Sequence, residues 1–166
     1  MAKAYKLFKL KNGELHPLYI HTKQVIPVGV HLAAGEGEKT PDGKVKSALG
    51  KLAYRPGWHL TELPLADHIG KKTDHGLIQR KDSVWCEVEY DDTVDYNEEA
   101  RAASTQKKYQ CLKKVPVDGY YWYSTNPRAK VRWLISGGIN VTRILSNAEV
   151  AEICRAHGLT PQEVEQ

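Results

Sequence analysis

Trp133-Leu134-Ile135-Ser136-Gly137-Gly138-Ile139-Asn140-Val141 decides how this chain is read. Two strand-like runs, Val131 to Ile135 and Ile139 to Leu145, meet at a glycine pair, and glycines between apolar runs signal a hairpin. A second such signal stands near the start. There Asn12-Gly13 separates residues 5–10 from residues 14–20, and an Asn-Gly pair supplies the positive φ angles of a tight turn. Val84 to Tyr90 alternates, with Val84, Cys86 and Val88 on one face and Trp85, Glu87 and Glu89 on the other. Asp118-Gly119 opens Tyr120-Tyr121-Trp122-Tyr123, whose aromatic content suits a strand. Val25 to Leu32 is β-branched, but Pro27 confines it to a sheet edge or a bulge. Leu49 to Tyr54 reads as a short strand leading into Pro56-Gly57. Hairpin turns outnumber β-α-β patterns. The expected fold is therefore α+β, a mainly antiparallel sheet of about seven short strands with two helices.

The helices are expected in the C-terminal half. Ser146-Asn147-Ala148-Glu149 is a capping box: a serine acceptor for orphan amides, with a glutamate three residues on. Val150, Ala151, Ile153 and Cys154 give that helix an apolar face, and Gly158 ends it. Glu98 and Glu99 precede Arg101, Lys107 and Lys108, as the dipole of a helix from Asn97 to about Tyr109 would favour. Residues 33–47 and 70–82 read as polar loops, and residues 60–69 as irregular around Pro64. Thr160-Pro161-Gln162-Glu163 reads as the start of a further helix. One domain over residues 1–158, with a tail over 159–166, accounts for the 166 residues.

Composition narrows the class. Hydrophobic residues at 41% and charged residues at 27% describe a globular chain able to build a core. A net charge of +4 permits a polyanionic partner without the density of a dedicated nucleic-acid binder. Cys86, Cys111 and Cys154 are too few and too scattered for a disulfide framework or a zinc site, so reduced thiols and a cytoplasmic setting are expected. The sequence carries no apolar leader and no membrane-spanning run, so no membrane partner is expected.

The residues best suited to chemistry lie in Tyr54-Arg55-Pro56-Gly57-Trp58-His59, with Asp67-His68 following. Pro56-Gly57 fits the centre of a type II turn, which would present Arg55 and Trp58 from its two ends. Arginine binds phosphate, an indole stacks on a base or nicotinamide ring, and His59 or His68 could orient or deprotonate a substrate. The competing reading places Trp58 in the core and makes His59 a satisfied, half-buried histidine. Tyr121 and Tyr123 run into Ser124, Thr125 and Asn126, offering stacking surfaces followed by neutral hydrogen-bonding groups. Arg128, Lys130 and Arg132 alternate along one face and could follow a phosphate backbone, or form a solvated basic face. His16, His21 and His31 lack convergent partners, so no metal is expected. Phosphate-loop, serine-elbow and zinc-protease signatures are missing.

Several blocks together resemble one family. They are Pro27-Val28-Gly29, Lys44 to Ser47, Leu52 to His59, Ala66 to Gly70, Val84 to Val88, Tyr123 to Pro127 and Trp133 to Val150. The family is a set of bacteriophage and prophage domains, found alone or embedded in large phage polyproteins, and the resemblance spans about residues 5–158. It implies a mobile-element origin and a role inside a bacterial cell, and it brings no activity with it. A second likeness is to ADP-ribosyltransferase-type folds, which use a split antiparallel sheet and an aromatic strand running into a Ser-Thr motif. Tyr123-Ser124-Thr125-Asn126 is similar to that motif, while the glutamate motif has no match, since Glu149 and Glu152 belong to the capped helix. The expectation is a nucleotide-binding cleft that could be ADP-ribosyltransferase-like, with the cofactor left open and NAD one candidate. Arg55 would hold phosphate, Trp58 or Tyr123 would stack, and His59 would orient or deprotonate. The alternatives are a non-enzymatic module binding nucleic acid or a host defence protein, and a structural domain of a virion polyprotein.

Overall fold

The computed structural model describes residues 1–37, 40–47, 50–52, 54–103, 110–123 and 129–166. Strand β1 (Ala2–Lys11) turns through Asn12 and Gly13, at φ of 52° and 77°, into β2 (Glu14–His16). A long loop reaches β3 (His31–Ala33). A small hairpin of β4 (Val45–Ser47) and β5 (Gly50–Leu52) then precedes β6 (Trp58–Thr61). A second hairpin, β7 (Lys71–Thr73) and β8 (Gly76–Ile78), leads to the long β9 (Ser83–Tyr90), followed by β10 (Val94–Asp95) and α1 (Asn97–Ala103). The chain closes with β11 (Gly119–Tyr123), β12 (Trp133–Ser136), β13 (Gly138–Ile144) and α2 (Asn147–Ala156).

The α+β class holds, and all but the β10–β11 pairing in the main sheet is antiparallel. Among the described residues that sheet has nine strands rather than about seven, ordered β10-β11-β12-β6-β1-β9-β13-β3, with β2 also on β1. The unforeseen strands are the two-residue edge strand β10, too short to leave an alternation, and β6, an interior strand of four residues that runs into the stretch read as irregular around Pro64. The edge strand expected over Val25 to Leu32 is only the three-residue β3, and the strand expected over Leu49 to Tyr54 is β5, in the separate β4–β5 sheet. The polar stretch expected to be a loop over 70–82 contains the β7–β8 hairpin instead.

The glycine pair does not make a hairpin. β12 pairs with β11 and β6, and β13 pairs with β9 and β3. In a flat sheet β12 and β13 would lie four strand spacings apart, about 19 Å. Only Gly137 stands between them, and two Cα steps span less than about 8 Å. The sheet must therefore roll over on itself. Gly137 straddles the fold, its N–H donating to the Gly119 carbonyl (2.9 Å) while its own carbonyl accepts from Ala34 (2.9 Å). A Cβ on Gly137 would strike the Pro116 carbonyl, and one on Gly138 would strike the Asp91 carboxylate and the His31 ring. Both glycines are there for close approach at a corner, where one chain segment changes partners.

Rolling gives the sheet an inside and an outside. Ala4, Phe8, Trp58, Leu60, Val88, Leu134 and Val141 pack on the inner face. There the Trp58 indole N–H reaches the Leu32 carbonyl of β3 at 3.1 Å, across strands that a flat sheet would separate widely. On the outer face Tyr5, Leu7 and Trp85 pack against Val150 and Cys154 of α2. Beside them Tyr121 and Ile135 pack against Ala100 of α1 and Leu112.

Helix α2 matches its expected signals. Ser146 and Glu149 form the reciprocal capping box. At the other end Gly158 (φ 72°) and Leu159 donate to Arg155 and Cys154, closing the helix in a Schellman pattern. Helix α1 is described to Ala103, and the expected extension through residues 104–109 lies outside the described residues. Asn97 is not its cap. Asp95 Oδ1 accepts the Asn97 N–H (2.8 Å), and the Asn97 side chain instead accepts from Trp122 (2.8 Å). No helix starts at Thr160. Residues 160–166 form a strap bonded to the β7–β8 hairpin, with Val164 bridging Gln79 in parallel.

Candidate functional site

Gly57 governs how the Arg55–His59 segment is presented. Its φ of 131° lies well past the value of about 80° that a type II turn uses. A Cβ there would strike Ile135 of β12, so only glycine lets the chain enter β6 this close to its neighbour. From there strand alternation separates the motif. Trp58, 8% exposed, points into the core on the inner face, and His59 points to the outer face. The indole is thus a core anchor and offers no stacking surface beside His59.

His59 is fixed from two sides. Its Nε2 lies 2.8 Å from the Arg55 carbonyl, which can only accept, so the proton sits on Nε2. Nδ1 is then a lone pair, and the Tyr123 hydroxyl donates to it at 3.3 Å, with the two rings edge-on at 5.5 Å. Burial pushes the imidazole down to about 4, opposed by the Arg55 carbonyl bond and reinforced by the Lys6 and Arg55 charges. His59 is therefore neutral at pH 7. Burial also pushes the Tyr123 hydroxyl above its ordinary range, with Arg55 pulling the other way. Burial likewise raises Tyr121 and Cys111, with the Arg55 charge a smaller opposing pull on each.

The remaining expected site residues scatter. Tyr121 is fully buried, and its hydroxyl accepts the Leu112 N–H at 3.0 Å. His68 is exposed and packs edge-on against Trp133 (5.5 Å). Trp133 in turn lies 6.4 Å from Tyr123, so a row of rings joins His68 to His59. Ser124, Asn126 and Arg128 lie outside the described residues. Lys130 pairs with Asp67 (3.3 Å), and Arg132 forks onto both oxygens of Glu62 while its guanidinium sits 4.0 Å over Trp122. Acids thus answer Lys130 and Arg132, the two described cations of the row expected to track a phosphate backbone.

Lys6 belongs to no motif in the sequence. It occupies the inner face between Ala4 and Phe8, and its ammonium donates to the His59 carbonyl at 3.0 Å. It lies 5.6 Å from the Phe8 ring and 5.8 Å from the Trp58 ring. Burial lowers it to about 8. The available signal was a lysine at an apolar position of an alternating strand. Among the described residues, no carboxylate bonds to His59 or Tyr123, and no cluster of His, Cys, Asp or Glu could hold a metal. No described helix is long and apolar enough to cross a membrane. No known family, curated protein or solved structure matches the chain.

Proposed function

We propose that this is a phage-encoded domain that binds a phosphate-bearing nucleotide of the NAD class on the outer face of β6 and β11. What supports the reading is the meeting of Arg55, His59 and Tyr123, which are up to 68 residues apart in sequence, in one half-buried patch. In this reading Arg55 takes the phosphate, since a guanidinium in a partly desolvated setting is a strong phosphate ligand. The Tyr123–His59 pair fixes the position of a ribose or base edge. An imidazole held at about 4 is a poor proton acceptor at neutral pH, so orientation is its role rather than deprotonation. ADP-ribosyl transfer would further need a carboxylate that the described patch does not supply. The reading therefore stops at binding.

Calorimetry with NAD, ADP-ribose, ATP and ADP tests this. Binding is expected with at least one, weakened tenfold or more by Arg55→Ala and less by Tyr123→Phe. A flat response of the folded wild-type chain across the panel would end the proposal.

A further inference from the structure

A cavity of about 270 Å³ lies between the C-terminal strap, helix α2 and the outer face of β9. The strap is held by its own set of bonds. Gln162 Nε2 donates to the Ile69 and Leu77 carbonyls, at 2.9 and 3.0 Å. The Glu163 carbonyl and the Glu165 N–H bond to Gln79, and the Glu165 carboxylate takes Lys71 and the Lys81 N–H. All of these bonds run toward the β7–β8 hairpin side. The cavity lies between these strap residues and α2, which the chain leaves through the Schellman turn at Gly158.

The lining is mixed in a specific way. Val150, Pro161 and the edge of the nearly buried Trp85 supply apolar walls, Thr160 a hydroxyl, Arg155 a cation from the last turn of α2, and Glu163 of the strap a carboxylate. Trp85 and Val150 belong to the well-packed outer core, so these walls are rigid. Arg155 is exposed and makes no ion pair among the described residues, in contrast to Arg132 and Arg143. Pockets that hold drug-sized ligands begin at about 300 Å³, so the occupant here is smaller.

We propose that this cavity binds a small free monocarboxylate with an apolar body about the size of one aromatic ring. The body lies against Val150, Pro161 and the edge of Trp85, and the carboxylate meets Arg155, whose charge must outweigh that of Glu163 in the same lining. This site is separate from the patch around His59.

Saturation-transfer NMR on the full chain provides the test, using benzoate and phenylacetate against their neutral counterparts benzamide and phenylacetamide. The acids should bind at least tenfold more tightly than the amides. Arg155→Gln should remove that preference, and Ala151→Leu, which grows a side chain into the cavity from an adjacent wall, should abolish binding. Arg55→Ala should leave it unchanged. Equal binding of acids and amides, no binding of either acid at millimolar concentration, or binding that survives in folded Ala151→Leu would each overturn the proposal. The comparison of acids with amides on the wild-type chain decides the matter even if a variant fails to fold.

Discussion

His59 and Lys6 sit on opposite faces of the same strand contact, and both are titratable groups held away from their ordinary behaviour by burial. An unfolded histidine titrates near 6.5, and His59 in the fold near about 4. Between those values the unfolded chain holds more protons, so stability rises with pH across that window and falls as acid is added. The whole span corresponds to about 3 kcal/mol, less in proportion to the solvent that reaches the ring. Lys6 repeats the pattern higher up. It is ordinarily 10.5 and in the fold about 8, so stability rises again between pH 8 and pH 10.5. The urea midpoint of the wild type should therefore rise with pH in both windows. His59→Gln, whose amide can still donate to the Arg55 carbonyl, should lose the first rise, and Lys6→Met should lose the second. Unchanged pH profiles in both variants would refute the assignment. Nitrogen NMR offers an independent check, since the proton should remain on Nε2 of His59 from pH 5 to pH 8.

At the scale of elements, the corner at Gly137 and the turn at Gly13 use glycine for opposite reasons, and substitution should separate them. Nothing lies near a Cβ at Gly13, so alanine there meets only the φ of 77° and should cost about 1 kcal/mol. Gly137→Ala drives a methyl into the Pro116 carbonyl and should cost about 2–3 kcal/mol, as overpacking does. Removing the α2 cap with Ser146→Ala should fall near the smaller value, about 1 kcal/mol. Chemical denaturation of the three variants checks the order, and a Gly137 effect no larger than that of Gly13 would contradict the corner. The same pair explains what was legible in the sequence. Asn12-Gly13, the alternation of β9 and the capping box at Ser146 are local devices, and each formed where its residues stood. Gly137-Gly138 looks local but is not, because a hairpin and a corner both need small residues between apolar runs. Only the pairing partners tell them apart. The candidate site was half legible for the same reason. Arg55, Trp58 and His59 are adjacent in the chain, and alternation alone sends Trp58 inward. That His59 meets Tyr123, 64 residues on, depends on β12 lying between β6 and β11, which no spacing reveals.

At the scale of the molecule, the C-terminal strap ties an outlying hairpin to the body. β7 and β8 form a two-stranded sheet of their own, and such a pair is marginal in water unless a third strand or a packed face supports it. The strap supplies that support. Val164 bridges Gln79, the Gln79 amide and carbonyl are both taken by the strap at 2.8 Å, and Gln162 holds the carbonyls on either side of β7. The exposed Lys71–Glu165 pair adds little by comparison, so Glu165→Gln should change stability by less than about 1 kcal/mol. Deleting residues 160–166 should have a different signature. Amide exchange should accelerate at least tenfold at Leu77, Ile78 and Gln79, while the long β1–β9 ladder at the centre of the rolled sheet stays protected. The melting temperature should fall as the outer cluster around Trp85 loses its cover. If exchange quickened equally in β1 and β9, the strap would be part of one cooperative unit with the sheet. If it quickened nowhere, the hairpin would be standing without it.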